Sequence, residues 1–266
     1  MNNLGLAPYA LLSPRFKVRP MMELLARHPR PAISILWNTF GNKTENLLPF
    51  LNLPRPKVLQ IHLINEVGHR NERLGAYEVL HGLGLDEFRK KLTNKNPALM
   101  ARLSRYFDGI AKALQSLPLA GTTLYISPGL ESNLDARAFL NLASLAMPYF
   151  PGAIPVWNPV GNNRFGSGPL KGFVHELHGE SPRLKPHCIF NLDGVGINFP
   201  FQDSPLAKNI ELKDLKAYRE RSKHADVSFI WFAECNLIGK GGFVDPRKRK
   251  TSPTKKHWQA IGKYYL

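Results

Sequence analysis

The sequence holds only two cysteines, Cys188 and Cys235, in 266 residues. Two are too few for a disulfide scaffold, and they carry no metal-ligand spacing. Both sit in β-rich apolar stretches, where a free thiol packs as a small hydrophobe. Long apolar runs are also missing, since none approaches the roughly 18 consecutive residues that would span a bilayer. The N-terminal "MNNLGLAPYALLSP" has neither the basic start nor the small-residue cleavage site of a secretory leader. With no signal peptide evident, the compartment stays open: intracellular as the chain stands, secreted or periplasmic if a leader was trimmed. No G-x-G-x-x-G turn follows the first strand pattern, which argues against a dinucleotide-binding fold. No G-x-S-x-G elbow occurs either, which argues against serine-hydrolase chemistry.

Acid is the scarcest charge: 20 Asp and Glu stand against 36 Lys and Arg, for a net charge of +16. An excess of this size attracts anionic partners such as nucleic acid, an anionic membrane face or an acidic polysaccharide. Part of it is local. "DPRKRKTSPTKKHWQ", Asp245 to Gln259, opens a basic, proline-interrupted C-terminal segment over 245–266. That segment reads equally as a solvated tail or as an anion-binding surface.

What is present has a repeating grammar: a short β-rich apolar run, a polar cluster, then a helical pattern. "AISILWNTFGN" (32–42) and "KVLQIHLINEVGHRN" (57–71) are the first two runs, with a strand expected over Lys57–Ile64. Helix follows from about Asp86 to Leu117, with Phe88, Leu92, Leu99, Leu103, Phe107, Ile110 and Leu114 recurring at three- and four-residue intervals. Pro97 marks a break or a new start in it. Strands are then expected in 122–133, 153–163, 173–179, 187–199 and 226–236, with helices over 134–150 and Glu211 to His224. Strands alternating with helices predict βαβ units and a parallel sheet. The expected fold class is α/β, a single (β/α)8 barrel domain with some helices replaced by loops; an open doubly wound sheet is the alternative. Residues 1–31 read as an N-terminal extension to it.

Parallel α/β folds bind ligands at the carboxyl ends of their strands. In this sequence those ends collect polar residues. They offer Trp37 and Asn38, Asn65 and Glu66, Glu131, Trp157 and Asn158, His175 and Glu176, Asn191 and Asp193, and Glu234 and Asn236. Five of the few acids thus share one structural address. Burying a polar group without partners is unfavourable by roughly 2–7 kcal/mol, and a lone carboxylate by more, so an acid ending the apolar run "FIWFAE" needs a reason. Carboxylates, amides, imidazoles and indoles on one rim suit a carbohydrate. Hydroxyls take bidentate polar partners, C–H faces take aromatics, and two carboxyl groups cleave the glycosidic bond. One must be protonated to act as acid and the other ionised as nucleophile or base.

Each acid also has a structural alternative. Glu234 could pair with a rim cation, Glu131 precedes a helix start, and Asp193 opens an Asp-Gly turn pair. "HELH" (175–178) places its histidines three apart rather than four, so the zinc-protease pattern fails; neither metal nor cofactor is expected.

The layout resembles that of (β/α)8 glycoside hydrolases, whose catalytic acids commonly stand at the ends of strands four and seven. The resemblance covers roughly residues 32–245 as an architecture. It implies a glycosidase-like hydrolase acting on a polysaccharide or oligosaccharide, with an anionic glycan suiting the basic surface. Glu234 is similar to the nucleophile position and Glu131 to the acid/base position, with Asp193 a further candidate for the pair. An Asn-Glu pair is usual at the acid/base, and here Leu130 precedes Glu131 while the literal pair is Asn65–Glu66. The remaining strand-end residues would hold substrate, and a monomer is expected. The competing readings are a nucleic-acid-binding protein or nuclease using the basic surface, and a glycan-binding barrel without catalysis.

Overall fold

The computed structural model describes residues 3–8, 11–14, 16–37, 43–64, 83, 85–129, 136–158, 183–194 and 227–232. Among them seven strands occur: β1 (Asn3–Leu6), β2 (Ala32–Leu36), β3 (Lys57–Ile64), β4 (Thr122–Gly129), β5 (Ile154–Trp157), β6 (Ile189–Gly194) and β7 (Val227–Phe232). Each pairs in parallel with its neighbour in chain order, and β7 pairs back onto β1 to close a barrel. Helices lie between the strands, as the alternating sequence pattern predicts.

All eight residues of β3 are buried. A strand covered on both faces is what a parallel barrel wrapped by helices requires. Helices Leu85–Thr93, Pro97–Gln115 and Ala136–Ala146 pack on one another, and Ala136–Ala146 lies against β4 beside it. Pro97 is a start rather than a kink: it sits in the first turn of its helix, and the Asn96 side chain caps that turn by accepting from the Leu99 N–H at 3.1 Å. Phe88, Leu92, Leu99, Leu103, Phe107, Ile110 and Leu114 are all buried, so the three- and four-residue spacing marks the core face. Tyr106 ties this layer to the sheet by donating its hydroxyl to the Leu63 carbonyl at 2.7 Å.

The N-terminal segment requires a correction. Residues 3–6, expected to belong to an extension, form the strand that closes the barrel, with Gly5 opposite Trp231 in register. Four residues with a central glycine give almost no periodic signal, and this strand is held by long-range pairing instead. Gly5 is needed because a β-carbon there would lie 2.1 Å from the Trp231 ring; the indole occupies the space a side chain on β1 would take. The expected strand 173–179 and the helix Glu211 to His224 lie outside the described residues.

Candidate functional site

Successive residues of a strand point to opposite faces, and register shows which ones share the barrel interior. Ser34 pairs with Gln60, Gln60 with Tyr125, and His62 with Ser127. Across the lumen, the Asn191 amide donates to Gln60 Oε1 at 2.5 Å and the Trp231 indole donates to the same oxygen at 3.1 Å. Gln60 Nε2 lies 2.9 Å from His62 Nε2 and 3.3 Å from Ser34 Oγ, and Ser34 Oγ lies 2.8 Å from His62 Nε2. Asn191 Oδ1 accepts the Phe229 N–H at 3.1 Å, which fixes which way that amide faces. Four strands, β2, β3, β6 and β7, are therefore joined through one buried polar layer.

The donor inventory settles the protonation state of this layer. An indole N–H can only donate, so the Gln60 atom facing Trp231 is its oxygen and the amide nitrogen faces His62. Against that nitrogen, His62 Nε2 must accept, so the ring is neutral with its proton on Nδ1. Burial acts in the same direction and lowers the His62 pKa to about 3. Phe229 and Trp231 stack with centroids 5.0 Å apart, and Tyr125 meets Phe229 edge-on at 5.9 Å, which fills the lumen below the polar layer. Among the described residues this layer of Ser34, Gln60, His62, Asn191 and Trp231 is buried and uncharged.

The expected site residues divide sharply. Asn38, Asn65, Glu66, Glu131, His175, Glu176, Glu234 and Asn236 lie outside the described residues. Asp193 is in β6, in register with Trp231. Asn191 is fully buried with both ends of its amide engaged, so a sugar hydroxyl could reach it only by displacing Gln60 or the Phe229 N–H. Trp37 and Trp157 are 4% and 3% exposed. Trp157 packs edge-on against Phe190 with centroids 5.6 Å apart, and the Trp37 backbone N–H donates to the His62 carbonyl at 3.0 Å. Asn158, directly after β5, is buried as well. The structure thus brings together Asn191 with Gln60, His62, Ser34 and Trp231, a cluster that sequence reading reached only in part. The one available signal was His62 falling on the alternate face of an apolar strand.

Among the described residues no group of His, Cys, Asp and Glu could hold a metal ion, and no helix is long and apolar enough to cross a membrane. Cys188 is half-buried, with its Sγ 3.5 Å from the Leu184 carbonyl. Burial pushes its thiol up to about 12, a shift only partly offset by a hydrogen bond with the Trp157 backbone.

With β1 in the barrel, the chain order of the strand-end acids changes. Glu131 comes two residues after the last residue of β4, and Glu234 two residues after the last residue of β7. A solved structure described as a glycoside hydrolase matches 98% of this chain and 67% of its own, with a TM-score of 0.52 at 12% identity. The barrel fold is similar to that of this glycoside hydrolase structure. A family 5 xyloglucanase from Paenibacillus pabuli in complex with ligand matches 100% of this chain and 98% of its own, with a TM-score of 0.42 at 10% identity. That second likeness is too loose to argue from, and at such identities the first speaks for the fold alone. No family model and no curated protein matches the chain.

Proposed function

We propose that this glycoside hydrolase-like barrel cleaves glycosidic bonds in a polysaccharide, using Glu234 and Glu131 as its carboxyl pair. The observation that carries the reading is β1. Counted from it, the two acids follow strands four and seven, the positions of the catalytic acids in (β/α)8 glycoside hydrolases, whereas without β1 they follow three and six among the described strands. In this reading Glu131 protonates the leaving oxygen and Glu234 attacks the anomeric carbon or activates water. Asp193, at the end of β6, is the substitute should one of the pair fail. Asn65 and Glu66, which follow β3, are assigned to sugar hydroxyls, with Asn38, His175, Glu176 and Asn236 as further contacts.

The test is release of reducing ends from a panel of neutral and acidic polysaccharides by the wild type, Glu131→Gln and Glu234→Gln. Each substitution should lower the rate by about 10²–10⁴-fold, the usual contribution of a positioned acid or base. Full activity in both variants removes this pair. Tight nucleic-acid binding without cleavage of any glycan would favour the nuclease or nucleic-acid-binding reading instead.

A further inference from the structure

Lys57, the first residue of β3, is 3% exposed and is the only Lys or Arg among the buried described residues. Strand residues alternate between faces. Gln60 and His62 line the lumen, so Lys57 turns outward with Leu59 and Ile61. Its partner across the β3–β4 ladder is Thr122, which turns outward as well because Tyr125 pairs with Gln60. The two side chains therefore stand side by side where residues 116–121 lead into β4.

Neither side chain has a partner among the described residues. The Thr122 hydroxyl is buried and makes no hydrogen bond. The ion pairs there are Arg19–Glu23, Lys91–Glu87 and Lys112–Asp108, each within one helix, and none includes Lys57. The nearby backbone is already engaged: the Lys57 N–H donates to the Gly121 carbonyl at 3.3 Å and the Thr122 N–H to the Leu119 carbonyl at 3.0 Å. Space remains beside them. Lys57 Nζ lies 3.9 Å from the point where a β-carbon on Gly121 would stand, and no other described atom outside the adjoining residues comes within 4 Å of it. Gly121 has φ +70°, a left-handed conformation that suits glycine, and the missing side chain keeps this space open.

We propose that Lys57, Thr122 and the space beside Gly121 bind a small monovalent anion of halide size. An ammonium can only donate and a hydroxyl can donate, so a negatively charged acceptor satisfies both groups at once. A buried charge left without a counter-charge is strongly destabilising, and one negative charge balances this one. Leu59 beside it is buried, and Leu117, Leu119 and Leu124 pack on the core. In such apolar surroundings the desolvation penalty rises steeply with charge, which disfavours phosphate and sulfate. Burial of Lys57 excludes a polymer or a membrane as the occupant. The site is independent of the catalytic reading.

The experiment follows thermal unfolding of the full chain while gluconate is exchanged for chloride or bromide at constant ionic strength, which removes general screening from the comparison. Binding to the folded state should raise the midpoint by about 2–4 °C when the halide stands at roughly ten times its dissociation constant. Lys57→Met should lose this response, and Lys90→Met, which removes an exposed helix charge, should keep it. Thr122→Val should bind halide roughly threefold to tenfold more weakly, yet be no less stable than wild type in gluconate, because it removes a buried hydroxyl without a partner. The linewidth of the chloride NMR signal is a readout independent of stability, and wild type should broaden it more than Lys57→Met. Equal midpoints in chloride and gluconate overturn the proposal, and so does an undiminished halide response in Lys57→Met. Stronger stabilisation by phosphate than by chloride, lost in the same variant, overturns the choice of a monovalent ion. If Lys57→Met does not fold, unchanged halide affinity in Thr122→Val overturns the site.

Discussion

The neutral imidazole at the centre of the barrel makes stability depend on pH in a calculable way. His62 is fully buried, accepts at Nε2 from the Ser34 and Gln60 side, and has its pKa lowered to about 3. In the unfolded chain it titrates near 6.5. Above that value the ring is neutral in both states and proton binding contributes nothing to the difference. As pH falls below 6.5 the unfolded chain takes up a proton that the folded barrel refuses until about 3, so stability is lost as pH falls through that window. Each unit inside the window removes about 1.4 kcal/mol, or about 2 kcal/mol between pH 7 and pH 5. Urea unfolding at half-unit steps across this range, on the wild type and His62→Gln, measures it. Glutamine can hydrogen-bond to Ser34 and Gln60 but cannot titrate, so the variant should start less stable and lose stability less steeply. His28, also lowered by partial burial, shifts both proteins in the same direction and cancels in the comparison. Parallel pH profiles for the two proteins would refute the assignment of a neutral, proton-refusing His62.

Gly5→Ala should destabilise the barrel by about 1–3 kcal/mol or more, because the new methyl meets the Trp231 ring at 2.1 Å. Thermal unfolding reads this, and an unchanged midpoint would show that β1 does not pack on Trp231 as described. At pH 8 the Cys188 thiol, pushed up to about 12, carries a thiolate fraction on the order of 10⁻⁴. Peptide mapping after iodoacetamide treatment should therefore find Cys188 alkylated in urea and almost untouched in the native protein, and rapid native labelling would contradict its burial.

What could be read from the sequence is what local physics determines. β3 announces itself through Val58, Leu59, Ile61, Leu63 and Ile64, and the helix Pro97–Gln115 through its apolar spacing and its Asn-Pro start. These signals need only a few neighbouring residues. β1 escaped because its partners are β2 and β7, and its glycine matters only once Trp231 is opposite. The polar floor escaped for the same reason: Gln60 is 131 residues from Asn191 and 171 from Trp231. Strand-end position made Trp37, Trp157 and Asn191 look like rim residues, but a strand end in sequence does not fix which face a side chain takes. Trp157 meets Phe190, and Asn191 turns into the lumen.

The same layer also fixes the register of β7, the apolar strand that precedes Glu234 in the sequence. Along β7, Phe229 lies near the base of the barrel under Arg30, and Trp231 reaches the floor through Gln60. The chain arrives at Glu234 three residues later. The Phe229 N–H held by Asn191 and the Trp231 indole held by Gln60 anchor β7 at two successive inward positions. A one-residue slip would turn both aromatics out of the lumen and leave Gln60 Oε1 and Asn191 Oδ1 buried without these donors. The register of β7 is thus specified from inside the barrel by uncharged groups. A carboxylate beyond the strand can then be positioned without any charge being buried beneath it. The apolar run thus fixes the register of β7, and in the sequence Glu234 follows two residues after its last residue.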